Sequence, residues 1–276
     1  MLFKVENVTK RIYRISMPYV CCYLFVGETK AVLLDTGWGY GDLKAVVESI
    51  TDLPITLVLS HAHPDHIGGD IQFGEAYLNE RDFHMLESQS SLDLRRRLMQ
   101  KYAPDAFEEN PELWQKARTE PYIPLDENIT FNLGGLTLMP FHVPGHSPGN
   151  MVFIIPEERI AVFGDAISHP TLIVFDNSPS IQEHYDALIK MKDYDHLYDR
   201  VLVNHETFEL DKVVLDNNIE LAKNILDGTD EKYTSSRRAQ KLTGNHQMVY
   251  AARERQSWLP SDKNLIGNIY YRKDKI

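Results

Sequence analysis

Between residues 60 and 69 the chain reads Ser60-His61-Ala62-His63-Pro64-Asp65-His66-Ile67-Gly68-Gly69. Three histidines and an aspartate crowd into six positions, and nothing in the packing of a helix or strand asks for that. Neutral imidazole nitrogens and carboxylate oxygens are the donors that suit zinc and other borderline first-row cations. Alternate residues on extended backbone point the same way, so His61 and His63 can grip one ion together. Pro64 stiffens the turn that follows, after which Asp65 and His66 face a second ion. Gly68-Gly69 lets another piece of backbone come close. The cluster directly follows the apolar run Ile55 to Leu59. In α/β sheets, ligands gather at such carboxyl ends of strands.

The same placement recurs along the chain. Asp35 follows Ala31 to Leu34. His146 follows Leu136 to Phe141 by way of Val143-Pro144-Gly145. Asp165 follows Ile160 to Phe163 across one glycine, and His205 follows Val201 to Val203. Polar residues just beyond several buried strands imply one shared site.

The pattern around these positions predicts a mixed α/β chain. Arg11 to Ser16, Cys22 to Val26 and Ala31 to Leu34 are short runs rich in β-branched and aromatic residues. Gly27 to Lys30 reads as a hairpin turn, which makes part of the sheet antiparallel. Asp42 to Ile50 has helical spacing, and Ile55 to Leu59 restarts a buried strand. Glu80 to Arg118 is polar and helical, broken at Pro104 and Pro111. It reads as a helical insertion (about 80–120) with both ends tethered near the site, hence a lid. Its leucines and Trp114 fit either an apolar pocket or the face of a homodimer. Strands are expected at Ile129 to Leu133, Leu136 to Phe141, Met151 to Ile155, Ile160 to Phe163 and Arg200 to Val203. Helices are expected at Ile181 to Met191 and at Asp211 to Leu226, the latter stopped by Gly228. Residues 1–276 read as a single domain with an extension from about 228 to 276, polar until the strand-like run Ile266 to Tyr271.

Net charge is −11 at pH 7, which works against long nucleic acids as partners. No apolar run approaches the roughly 18 residues of a membrane span. The N-terminal stretch is too charged for a signal peptide, and two cysteines in 276 residues suit a reducing compartment. The expectation is a cytoplasmic protein acting on a small-molecule substrate, without membrane or nucleic-acid partners. Cys21 and Cys22 are read as core thiols, Arg95-Arg96-Arg97 as a solvated helix face. His84, His142, His169, His184, His196 and His246 are read as surface or capping residues, His169 being notable for lying close after Asp165.

In order, the chain contains Leu34-Asp35-Thr36-Gly37, His61-Ala62-His63-Pro64-Asp65-His66, Pro144-Gly145-His146-Ser147-Pro148-Gly149, Gly164-Asp165 and Asn204-His205. As a set these motifs resemble the metallo-β-lactamase-fold hydrolase superfamily, from about Arg11 to His205. The resemblance implies an αββα sandwich of two mixed β-sheets flanked by helices, with the site at one edge. It implies two divalent metal ions, zinc first, with iron or manganese as alternatives. His61, His63 and His146 would hold one, Asp65, His66 and His205 the other, and Asp165 would bridge them. Asp35 would sit behind the ligands and orient their loop. The reaction implied is hydrolysis of a small ester, thioester or lactone through a metal-bridging hydroxide, with Asp65 as the catalytic carboxylate. The alternative on the same fold is a mononuclear iron oxidoreductase of the persulfide dioxygenase type, using His61, His146 and Asp165.

Departures narrow the subfamily. Ser168 stands where quorum-signal lactonases of this fold carry tyrosine. Ala166-Ile167-Ser168 differs from the threonine-leucine-phenylalanine run of hydroxyacylglutathione hydrolases. Asp165 is kept, unlike in antibiotic-degrading lactamases, and His63 stands where flavodiiron oxidoreductases carry glutamate.

Overall fold

The computed structural model describes residues 2–104, 110–234, 248–254 and 266–276. Chain contacts divide it into two compact units: residues 1–139, 156–158 and 204–206, and residues 140–155, 159–203 and 207–276.

The first unit opens with β1 (Lys4–Asn7), β2 (Ile12–Met17), β3 (Val20–Val26) and β4 (Ala31–Leu34). These pair antiparallel in sequence order. Helix α1 (Leu43–Glu48) then carries the chain to β5 (Ile55–Val58), which pairs parallel with β4. The reversal follows from the connection: four residues make only a hairpin, whereas a helix can return the chain to the same end of the sheet. Asp42 starts α1 by accepting the Ala45 N–H at 2.9 Å. After α2 (Pro64–Ile67), the strands β6 (Ala76–Leu78) and β7 (Ile123–Pro124) extend the parallel half, giving the order β1-β2-β3-β4-β5-β6-β7. Val20 to Phe25 and all of β4 are buried, as expected of central strands covered on both faces. Each fully buried large apolar side chain contributes about 1.5–3 kcal/mol, so the carboxyl ends of β4 and β5 are firmly held.

Between β6 and β7 lies the helical insertion: a 3₁₀ stretch over Glu80–Met85, α3 (Leu86–Gln89), α4 (Leu92–Tyr102) and a 3₁₀ turn at Pro111–Leu113. Ser91 caps α4. Trp114 follows that turn. It is buried against Tyr40, with ring centroids 4.8 Å apart. The unit closes on the hairpin of β8 (Phe131–Asn132) with the start of β9 (Thr137–His142).

The second unit contains β10 (Met151–Ile155), β11 (Ile160–Val162), β12 (Thr171–Ile173), α5 (Ile181–Lys192), β13 (Arg200–Leu202), β14 (Glu209–Leu210), α6 (Val214–Asp227), β15 (Tyr233–Thr234), β16 (Val249–Ala251) and β17 (Ile269–Arg272). A mixed sheet runs β14-β13-β11-β10, followed by the second half of β9, and α5 packs on α6. Helix α6 ends at Gly228, where the sequence places its stop. The fold is thus mixed α/β with mixed sheets. It also has a third sheet, ordered β12-β17-β16-β15, so residues beyond 228 contribute two further strands besides the expected last one.

Candidate metal centre

Asp35 follows β4, and the 60–69 loop follows β5, its parallel neighbour. Parallel pairing puts both carboxyl ends side by side. The Thr36 N–H donates to the His66 carbonyl at 2.8 Å, and the Gly68 N–H to the Gly37 carbonyl at 2.9 Å. A Cβ at Gly68 would stand 2.2 Å from the Trp38 carbonyl carbon. Only glycine permits that approach, which strings the two motifs into one block.

Asp35 is fully buried. Its carboxylate accepts from Ser60 N at 2.7 Å, Ser60 Oγ at 2.8 Å, His66 Nδ1 at 2.9 Å and Asn204 Nδ2 at 3.2 Å. Those bonds fix protons. His66 carries its hydrogen on Nδ1, leaving Nε2 as the donor atom for a cation. Ser60 gives its only proton to Asp35, so at 3.0 Å its oxygen receives the Nδ1 hydrogen of His61. One carboxylate therefore sets the tautomer of two histidines.

His63 ends the extended stretch, and Pro64 is the first residue of α2. The rings of His61 and His63 meet edge to face with centroids 4.7 Å apart, and those of His61 and His66 lie 4.1 Å apart. His205 belongs to the same unit through residues 204–206. It bridges to Val20 and donates from Nδ1 to the Tyr19 carbonyl at 2.8 Å. Its Nε2 lies 3.5 Å from Asp65 Oδ2, and His66 Nε2 lies 3.9 Å from Asp65 Oδ1. Donor atoms of Asp65, His66 and His205 fall within 4.8 Å of one another. Two imidazole nitrogens and one carboxylate oxygen at that spacing fit a zinc-like ion with an open coordination position.

The other two expected ligands belong to the second unit, where His146 Nε2 and Asp165 Oδ2 stand 3.5 Å apart. His146 Nδ1 donates to the Leu172 carbonyl of β12 at 3.0 Å, and its ring meets the edge of Phe175 at 5.3 Å. β12 pairs with β17, so the third sheet seats this histidine.

Several expectations about the surroundings change. Arg95 is not on a solvated face. It is 1% exposed and donates to the carbonyls of Ser90, Trp38, Gly68 and Gln115 at 2.8–3.2 Å. Helix α4 turns this residue inward onto those carbonyls, while Arg97 points out. Burial lowers the Arg95 guanidinium to about 10, which still leaves it charged at neutral pH. His184 is fully buried, not a surface residue, and donates from Nδ1 to the Pro144 carbonyl at 2.8 Å. Burial lowers it to about 4, so it is neutral. His169 is buried as well, His84 and His196 are exposed, and His142 is half-buried. His246 lies outside the described residues. Cys21 and Cys22 are buried thiols, with no disulfide.

Sequence reasoning missed Ser60, Asn204, Asp82 and Asp70. Asp82 is buried and accepts the Ala62 N–H at 2.9 Å. Asp70 is buried under the Tyr122 hydroxyl, which donates to it, and burial raises its carboxyl to about 6. Ser60 and Asn204 each precede a candidate ligand, which was the available signal.

Residues 19–198 match the sequence profile of the metallo-beta-lactamase superfamily. The chain belongs to that superfamily. Among its relatives is the hydroxyacylglutathione hydrolase GloC of Haemophilus influenzae, 28% identical over 156 residues, covering 53% of this chain and 66% of that protein. An acyl-coenzyme A thioesterase of Bos taurus is 25% identical over 169 residues, covering 55% and 59%. The matched stretch thus spans less than two thirds of either relative. A metallo-beta-lactamase from Pontibacter korlensis superposes with a TM-score of 0.56 at 18% identity, covering 80% of this chain and 99% of the other. At such identity the likeness concerns the fold. Among the described residues no helix is long and apolar enough to cross a membrane.

Proposed function

We propose that the chain is a binuclear metal-dependent hydrolase of small esters, with thioesters as the favoured class. The observation that carries this is the gathering of Asp65, His66 and His205 around one point, with His66 and, through Ser60, His61 braced by the same buried Asp35 carboxylate. A mononuclear oxidoreductase using His61, His146 and Asp165 leaves that trio without a purpose. The superfamily resemblance would assign His146 to the same ion as His61 and His63, and Asp165 to both ions. The thioester preference rests on the superfamily's hydrolases among the relatives, which include a hydroxyacylglutathione hydrolase and an acyl-coenzyme A thioesterase.

Paired divalent ions lower the pKa of coordinated water and neutralise charge that develops on a carbonyl oxygen. The chain's own residues do the rest. Nδ1 hydrogen bonds on His61, His66, His146 and His205 hold each ring with Nε2 presented. Asp65, partly open to solvent, presents both carboxylate oxygens at the edge of the trio and can take a proton from the attacking water. The net charge of −11 favours a small substrate over a polyanion.

The test measures metal content and turnover together. The wild-type chain should hold two ions, zinc, manganese or iron, and hydrolyse a member of an ester, thioester and lactone panel. Asp65→Asn should keep much of its metal, since an amide still offers one oxygen. It should lose about 10²–10⁴-fold in kcat, the usual contribution of a proton-transfer group. One iron per wild-type chain, or undiminished turnover in Asp65→Asn, would move the assignment to the oxidoreductase.

A further inference from the structure

His205 is braced less directly than His66. Its Nδ1 rests on the Tyr19 carbonyl at 2.8 Å, and its ring leans on the Tyr19 ring, centroids 4.8 Å apart and tilted by 48°. Tyr19 therefore touches His205 with both backbone and side chain. It does so at a φ of +75°, a left-handed conformation unfavourable for a bulky aromatic residue. Neighbours must hold it there. Trp38 Nε1 donates to the Pro18 carbonyl at 2.9 Å. Tyr102 stacks on Tyr19 with centroids 4.9 Å apart and planes 15° from parallel.

Tyr102 is the last residue of α4, the main helix of the insertion. Lys101 donates to its hydroxyl at 3.2 Å, with the ammonium 4.8 Å from the ring centre. Further back in the same helix, Arg95 fastens α4 to the carbonyls of Trp38 and Gly68. A continuous path thus leads from the anchored helix through Tyr102 and Tyr19 to one histidine. His61 has a separate brace in Ser60 and Asp35, and the backbone beside His63 has one in Asp82.

We propose that Tyr102 is a positioning residue for the metal position of Asp65, His66 and His205. By stacking on Tyr19 it holds His205, so the insertion tunes the affinity of that position and leaves the position of His61 and His63 alone. This rests on the binuclear reading.

The experiment is a zinc titration in competition with a chromophoric chelator, on wild type, Tyr102→Ala, Tyr102→Phe and His205→Ala. Far-UV circular dichroism checks that each is folded. Tyr102→Ala should bind its weaker ion about 3- to 10-fold less tightly, the size expected for one lost aromatic pair, with the tighter ion unchanged. Tyr102→Phe keeps the stack and should match wild type. In a His205→Ala background Tyr102→Ala should add nothing. If wild type binds two ions and Tyr102→Ala binds both as tightly as before, or loses both equally, the positioning role is wrong while the binuclear reading stands. A wild type that binds a single zinc overturns both.

Discussion

His61 and His66 in the loop at 60–69 and His146 in the loop at 143–150 all have a committed Nδ1 proton, yet the two loops are braced by opposite chemistry. Around the first loop the braces carry charge. Asp35 takes four hydrogen bonds, Asp82 holds Ala62, and Arg95 holds Gly68, all three buried. Around the second they are neutral: the Leu172 carbonyl, the Ser178 hydroxyl on the His146 carbonyl, and an uncharged His184 under Pro144. A buried charge fixes direction strongly but leaves a large penalty when its partner is removed. A neutral brace depends on shape, since its energy comes from close packing and short bonds. The first loop should therefore fail when charge is altered, the second when volume is.

The sharpest break of that comparison is Asp35→Asn. Asp35 has a φ of +67°, which asparagine also tolerates, so the backbone need not move. The amide nitrogen, however, would face donors on Ser60, His66 or Asn204. Metal affinity should fall about 10- to 100-fold, the usual cost of losing a ligand's outer partner, and stability by about 1–3 kcal/mol, the cost of a buried donor left without an acceptor. Calorimetric metal titration and urea unfolding measure the two. Unchanged affinity would show that charge is not what holds the first loop.

The second loop should break by crowding. Gly145 has a φ of +151°, and a Cβ there would stand 2.4 Å from His184 Nδ1. His184 is fully buried and held by its bond to the Pro144 carbonyl. Gly145→Ala should cost about 1–3 kcal/mol, as overpacking does, and shift the His146 ring off the Leu172 carbonyl. Adding His184→Ala should recover part of the loss by making room. Thermal melts of the two variants decide it: no recovery would place the strain in the backbone alone.

What the sequence made legible follows the same division. The ligand motifs are contiguous, so spacing and residue type exposed them, and strands such as Met151–Ile155 announce themselves by apolar runs. The charged braces are legible only where they fall within a motif, as Asp35 does. Asp82 lies 20 residues from the amide it holds, and Arg95 27 from Gly68. A side chain bonding to distant backbone leaves no periodicity. In the arginine run, polarity suggested solvent, while the helix turned one member into a nest of carbonyls. The third sheet was hidden for a related reason. Its strands are two to four residues long, too short to show alternation, and Thr171 pairs with Ile269 from the far end of the chain.

The smallest expected effect is a pH dependence with opposite signs in the two regions. Asp70, at the end of the first loop, has its carboxyl raised by burial from 3.8 to about 6. Between those values the folded chain holds a proton that the unfolded chain has lost. Stability contributed by this group therefore falls as pH rises from about 4 to 6, then levels off. His184, beneath the second loop, is lowered by burial from 6.5 to about 4. Between those values the unfolded chain is protonated and the folded one is not, so this contribution falls as pH drops from 6.5 towards 4. Each slope is at most about 1.4 kcal/mol per pH unit, and the two oppose each other through pH 4 to 6. Wild type should look nearly flat there as far as these groups are concerned. Asp70→Asn removes one slope. Measured by urea unfolding of metal-free protein at pH 4.5, 5.5 and 6.5, its stability relative to wild type should decline on acidification by about 1 kcal/mol per unit. His184→Gln should change in the opposite sense. If both variants track wild type in parallel across the range, neither group is held as its burial implies, and the contrast between a charged and a neutral loop loses its electrostatic basis.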